Sequence, residues 1–319
     1  MTGIEPQELV LAYFRAEAGR FGLDAGSLTA RRVLNWGGFV SHSYHVGDGR
    51  RSVHAKLATD HAGLRRWLAV HDVLEGAYHA PPVLAWLELP GTPYGGLVFE
   101  HIDGDTWDTA RQPGLLYDLR ILLGRLHEDR ALGERLGDGV RSHLECWELR
   151  YREQFEEDLK TVRACRPASV TDARLAWMEE EARVVLALAA GDDAFAGVTR
   201  SPCHWDLWPD NVLVGADGRP WVLDWDGLAV GDAAEDLATL VWPFVHSEGR
   251  DWRDLLGLEG DGPFAARMDL HLRAIALDYL IDVLADWADC DVPEWRDEVR
   301  RRKEEEHRRY LDWYLSRWG

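Results

Sequence analysis

The stretch PCHWDLWPDNVLVGADGRPWVLDWDG, residues 202–227, holds the densest set of reactive side chains in the chain. It contains His204, Asp206, Asn211 and Asp224; Asp206 and Asn211 are five residues apart, Asn211 and Asp224 thirteen. Two short apolar runs, Val212–Val214 and Trp221–Leu223, flank the turn GADGRP and predict a hairpin. A hairpin folds its ends together, so Asn211 and Asp224 are expected to meet beside Asp206. An amide oxygen and a carboxylate form a hard-oxygen site that suits Mg2+ bridging a polyphosphate. A second carboxylate can accept a hydroxyl proton. Together these are the means of phosphoryl transfer, where a protein mainly positions reactants and offsets charge. Asp and Asn are also common in plain turns, but four such residues at this spacing around a hairpin outweigh that reading.

The rest of the chain must position them. Its 319 residues suggest two domains, or one with two lobes. With 46% apolar and 29% charged residues it can bury a large core. The balance of 36 basic against 56 acidic residues, a formal charge of −20, disfavours nucleic acid and anionic membrane surfaces as partners and tolerates a cationic small molecule. No apolar run reaches the roughly 18 residues of a membrane span. The first residues carry Glu5 and Glu8 where a secretory leader would be basic and apolar. Cys146, Cys165, Cys203 and Cys290 are scattered and read as reduced thiols of a cytoplasmic protein. Only three basic residues are lysines, Lys56, Lys160 and Lys303. GC-rich coding explains such a skew, yet it asks of each lysine why it is not arginine.

Apolar spacing predicts a helix over 5–21, then three strands between Arg31 and Leu57 joined by Gly-Gly and Gly-Asp-Gly turns. Val53, Ala55 and Leu57 alternate with His54 and Lys56 in the third. A helix over 62–76 and strands VLAWLEL and GLVFEHI follow. Beyond residue 104 helices are expected over 114–128, 142–164, 172–190, 233–247, 264–288 and 293–317. The expected fold is α+β and two-lobed: a small antiparallel-sheet lobe, residues 1–102, and a larger, mostly helical lobe, residues 103–319. Clefts between such lobes commonly hold small molecules.

HxDxxxxN followed by an Asp after the next strand is the kinase catalytic signature. In the form HWDLWPDN, LDWDG and GDAAEDLATL it resembles the aminoglycoside phosphotransferase and choline kinase-like family, with a protein-kinase-like fold. The resemblance extends over most of the chain, including the lysine strand, LVFEHIDG and the helix ending LLGRLH. It implies Asp206 as catalytic base or acceptor-orienting group, with His204 bracing its loop and Asp236 holding that loop's backbone from behind. Asn211 and Asp224 would be the Mg2+ ligands. Lys56 would pair with the α- and β-phosphates of ATP or GTP, the Gly37-Gly38-Phe39-Val40-Ser41 turn would cover the phosphates, and Glu100, His101 and Ile102 would hold adenine through the main chain. The implied activity moves a γ-phosphoryl group to a hydroxyl of a small molecule: an aminoglycoside, an amino sugar or a choline-like metabolite. Trp208, Asp226, Asp278 and Asp282 are candidates for the acceptor site.

Two departures stand out. Gly37-Gly38 is only part of a GxGxxG loop. On the helix after Lys56, Trp67 occupies the place expected of a glutamate, leaving Asp72, Glu75 or another group to hold the lysine. That keeps open a nucleotide-binding protein without transfer activity. A haloacid-dehalogenase-like phosphatase would make Asp224 of LDWDG a nucleophile, but the next motif follows too closely and residues 204–211 would be idle. Plain readings apply elsewhere: Trp221 and Trp225 as core, Trp208 as core or pocket wall, His42 and His45 as loop residues, Arg300–Lys303 as a solvated, salt-bridged helix, and the row Asp278, Asp282, Asp286 as an acidic face in water.

Overall fold

The computed structural model describes residues 6–33, 41–137, 143–167, 169–190, 193–196, 198–289 and 295–319. In chain order these form α1 Pro6–Ala16, α2 Ala18–Phe21, β1 Thr29–Val33, β2 His42–Gly47, β3 Ser52–Ala58, α3 Ala62–Ala77, β4 Val83–Glu88, β5 Gly95–Glu100 and β6 Gly104–Thr106. There follow α4 Leu115–Glu128, α5 Arg130–Leu136, α6 His143–Cys165, α7 Asp172–Ala190, β7 Ser201–Cys203, β8 Val212–Gly215, β9 Pro220–Val222, β10 Ala229–Gly231, α8 Ala233–Glu248, α9 Trp252–Leu256, α10 Pro263–Asp289 and α11 Arg296–Trp318. The fold is α+β, and the chain divides into two compact units. One is Met1–Trp107 with Asp210–Leu228; the other is Asp108–Pro209 with Ala229–Gly319. The hairpin that the sequence groups with the helical part thus belongs with the first unit. No helix among the described residues is long and apolar enough to cross a membrane.

The first unit is built on a five-stranded antiparallel sheet in the order β1-β2-β3-β5-β4. Val10 and Phe14 of α1 and Tyr44, Val46, Ala55 and Leu57 of the sheet share one buried core. The helix expected over 5–21 is two helices, interrupted at Glu17 and closed by Gly22 in a left-handed conformation. His42 and His45, expected in a loop, lie on β2, with His42 buried. On α3, Leu64, Trp67, Val70 and Leu74 form the buried stripe that helical periodicity dictates. The Trp67 ring lies against Phe99 with centroids 4.6 Å apart. A second sheet, β6-β8-β9, carries the predicted hairpin; its last strand is Pro220–Val222, one residue earlier than expected. Trp225 is core as expected, whereas Trp221 is only half-buried under the Arg219 guanidinium, 4.3 Å from its ring.

The second unit is mostly helical. Leu115, Leu119, Leu122 and Leu126 bury one face of α4. The long α10 packs against α6, α7, α8 and α11. Helices α5 and α9 lie outside the sequence expectation; at seven and five residues they are too short for periodicity to reveal.

Two plain readings fail in this unit. Asp286 is not on a solvated face, and Lys303 is not part of a solvated run. Both are buried, and the Lys303 amine donates to Asp286 Oδ2 at 2.6 Å, tying α11 to α10. Periodicity placed them on charged rows, but both turn inward. Arg300, Arg301 and Arg302 remain on the surface with Glu298, Glu304 and Glu305. Removing one member of a buried ion pair strands the other charge, at a cost of about 3–5 kcal/mol. Lys303→Met is therefore expected to lower unfolding free energy by about that amount in urea titration, with Arg301→Met changing it by less than about 0.5 kcal/mol.

Candidate active site

Lys56 sits near the middle of β3, opposite Ser43 of β2 and Leu97 of β5. It is 7% exposed. Its amine pairs with Asp224 and, at 2.7 Å, with Asp226 Oδ2. These two carboxylates, rather than Asp72 or Glu75 of α3, hold the lysine; α3 presents Trp67 to the sheet instead. Burial pushes the Lys56 amine down, but the two carboxylates more than offset it and hold it above the usual lysine range. Asp226 is pushed up to about 6 by burial and then by Asp224, with Lys56 opposing.

The hairpin delivers these carboxylates. Beyond the Val212–Val222 pair, the Leu223 amide donates to the Asn211 carbonyl at 2.8 Å, so Asn211 and Asp224 flank the same end of the ribbon. Asp224 has φ +62°, a left-handed conformation uncommon outside glycine and often retained at functional sites. The following turn is held firmly. The buried Trp225 indole donates to the Val222 carbonyl at 2.8 Å, and Arg66 of α3 donates to the Leu228 carbonyl at 2.8 Å. Gly63 of α3 lets this turn approach, since a Cβ there would lie 2.3 Å from the Asp226 carbonyl oxygen. Asn211, Asp224 and Asp226 offer amide and carboxylate oxygens, the donor set that Mg2+ takes, so the residues present fit that ion.

Other expected nucleotide residues are spread along the same unit. Ser41 is half-buried just before β2, while Gly37 and Gly38 lie outside the described residues. Glu100 ends β5 with its amide donating to the Pro82 carbonyl at 2.9 Å. His101 is exposed, its ring edge-on to His45 at 4.8 Å, and Ile102 is half-buried.

The second unit carries Asp206. Its Oδ1 accepts the Trp208 indole N–H at 2.8 Å, and its amide donates to Nδ1 of the fully buried His204 at 3.2 Å. Asp236 accepts from the amides of His204 (2.9 Å) and Trp205 (2.7 Å), while His127 Nε2 lies 2.9 Å from its Oδ2. Burial alone would raise Asp236, but His127, His204 and the Trp205 amide bring it below the usual carboxylate range. Asp232 caps α8 by accepting the Ala234 amide at 3.0 Å, and Arg267 holds that cap at 2.8 Å. This places Glu235 and Asp236 in the first helical turn. Cys203 lies close to His127 and Asp236, but burial pushes its thiol up and Sγ donates to the Ser201 carbonyl at 3.2 Å, while His127 and Asp236 bond to each other.

Trp208 stacks on Tyr279 of α10, centroids 4.1 Å apart, and Tyr279 continues into Trp242 and Tyr310. Beside it the acidic row departs again from a solvated face. Burial, then Asp158, pushes Asp278 up to about 8, with Arg150 opposing, and its Oδ1 is buried with no hydrogen-bond partner among the described residues. Burial and its neighbours Asp286 and Asp278 raise Asp282 well above the carboxylate range.

Sequence reasoning missed Arg150 and Glu235, and it missed Trp208 as the donor that fixes Asp206. Trp208 was findable, being two residues from Asp206. Arg150 was not, because it reaches the loop from α6, 55 residues away in the chain.

Residues 32–271 match the phosphotransferase enzyme family. Solved structures share the fold. An ethanolamine kinase from Plasmodium vivax aligns with TM-score 0.60 at 12% identity, covering 96% of this chain and 90% of that one. A choline kinase from Cryptosporidium parvum aligns with TM-score 0.56 at 15% identity, covering 98% and 99%. A thermostable aminoglycoside phosphotransferase in complex with ADP and hygromycin B aligns with TM-score 0.61 at 15% identity, covering 96% and 99%.

The raised carboxyl at position 278 has a consequence for stability. A folded value above the unfolded one means that the folded state binds the extra proton, so this group's contribution falls as pH rises from about 4 to about 8, by at most about 1.4 kcal/mol per pH unit. Asp278→Asn is expected to flatten that decline and to stabilise most near pH 8. Urea midpoints for both proteins at pH 5 and pH 8 check this; parallel profiles would refute it.

Proposed function

The chain belongs to the phosphotransferase enzyme family and is a small-molecule kinase, and we propose that it moves the γ-phosphoryl group of ATP or GTP to a hydroxyl of a small acceptor that carries a cationic group. The observation that carries this reading is the buried Lys56 amine, kept charged beside Asp224 and Asp226. A cation over hard-oxygen donors suits a chain of phosphates and its metal.

In this reading Lys56 contacts the α- and β-phosphates. Asn211 and Asp224 hold Mg2+, which supplies neutralisation of phosphate charge when bound. Gly37, Gly38 and Ser41 cover the phosphates, and main-chain groups of Glu100, His101 and Ile102 receive the base. Asp206 orients the acceptor hydroxyl and takes its proton; the Trp208 N–H on Oδ1 fixes the carboxylate for that task. His204 braces the loop from beneath through its bond to the Asp206 amide. Aromatic faces attract cations, so the Trp208–Tyr279 stack supports an amine-bearing acceptor. Two of the similar structures are named for kinases of amino alcohols, and a third holds hygromycin B. Asp226 joins the lysine cluster, so its part is with the nucleotide. Nucleotide supply and the reduced thiols of Cys165 and Cys203 fit a cytoplasmic setting.

A coupled ADP-release screen over aminoglycosides, amino sugars and choline-like alcohols tests the reading. Asp206→Ala is expected to reduce turnover by about 10²–10⁴-fold with nucleotide affinity retained. Full turnover in that variant would end the assignment of Asp206. Asp224→Ala is expected to abolish Mg2+-dependent nucleotide binding by calorimetry; unchanged binding would remove Asp224 from the metal site.

A further inference from the structure

Trp205 has φ +68°. A large aromatic residue is rare in this region, and such a conformation persists only where its surroundings over-determine it. Glycine would adopt it freely. The Trp205 indole N–H is also buried with no hydrogen-bond partner among the described residues. The loop therefore bears two unfavourable features at the residue just before Asp206.

What holds it is a clamp on both sides. The Trp205 amide donates to Asp236 Oδ1 at 2.7 Å, and the Trp205 carbonyl accepts from Arg150 Nη2 at 3.1 Å. That carbonyl and the Asp206 amide belong to one peptide plane, and the Asp206 amide is held by His204. Arg150 and His204 thus fix opposite edges of the plane from which the Asp206 side chain departs. The guanidinium also lies 5.4 Å from the Trp205 ring, and Gly231 makes room for that ring, since a Cβ there would lie 2.5 Å from the indole nitrogen. Arg150 is itself held by an ion pair with the buried Glu235. The first turn of α8 therefore supplies both halves of the clamp, Asp236 directly and Glu235 through Arg150.

We propose that Arg150 is a positioning residue: it pins Trp205 in its left-handed conformation and thereby sets the direction of Asp206. The role rests on the reading of Asp206 as the hydroxyl-orienting group. It differs from simple packing in one respect: the need for Arg150 exists only while residue 205 is strained.

Amide exchange measured by mass spectrometry over residues 203–206 tests this without any substrate. Arg150→Gln is expected to speed exchange of the His204, Trp205 and Asp206 amides about tenfold or more, and Arg150→Lys to restore part of the protection. In a Trp205→Gly background, where the backbone is unstrained, Arg150→Gln is expected to change exchange by less than about threefold. Because Arg150→Gln leaves Glu235 buried without its partner, Arg150→Gln with Glu235→Gln is measured alongside. With an acceptor in hand, Arg150→Gln is expected to lower kcat by up to about 10²-fold, the scale for a small misplacement of a reacting group, with the nucleotide KM within about twofold. Equal effects of Arg150→Gln in both backgrounds, or unchanged exchange in the original one, overturns the proposal. The exchange result stands whatever the acceptor screen finds, so loss of the kinase reading and loss of the clamp are separable.

Discussion

The ion pairs of Lys56 with Asp224 and Asp226 join the middle of a sheet to a turn 168 and 170 residues further along the chain. Much of the first unit exists to make that meeting possible. Strand β3 lies between β2 and β5, so its lysine is shielded on both edges. The hairpin returns Asp224 to the level of Asn211, Trp225 anchors the turn from within, and α3 contributes a glycine where the backbone must come close. A buried ion pair is weak support for stability, because desolvation consumes much of what the attraction provides. In the proposed kinase reading its use is what a charged amine beside oxygen donors can do for a polyanion.

Lysine chemistry fits this use. Arginine supplies nearly all of the positive charge, yet two of the three lysines, Lys56 and Lys303, are buried against aspartates. A guanidinium is broad and planar, whereas an ammonium is a compact point charge that fits a narrow gap between strands or helices. The third, Lys160, is exposed on α6. A genomic origin of the compositional skew has no bearing on these two sites, where shape decides.

The second unit solves a different problem, which is to hold a short irregular loop still. The loop at 204–206 has no regular ladder to rely on, so α8 provides one in side chains. Asp232 caps the helix, Glu235 engages Arg150 and Asp236 takes two loop amides. Trp208 then extends the arrangement to the Asp206 carboxylate and, by stacking on Tyr279, to α10. Buried carboxyl groups on α10 sit at raised values because of burial and of one another, and among the described residues Asp286 is the one paired with a lysine.

Much of this was legible in the sequence. Residue type and spacing identified the motif from His204 to Asp224, the hairpin within it, the lysine strand and most long helices, because period and turn chemistry are local properties of the chain. Other features were not local. Which carboxylates meet Lys56, which members of the rows at 278–286 and 300–303 turn inward, and that Arg150 supports Trp205 all depend on elements brought together from distant positions. A helical period says that residues share a face; it does not say what that face meets. Residue type and spacing set the chemical inventory and its local order; the pairing came from packing, since burial and the charge of a neighbour exist only once separate elements meet.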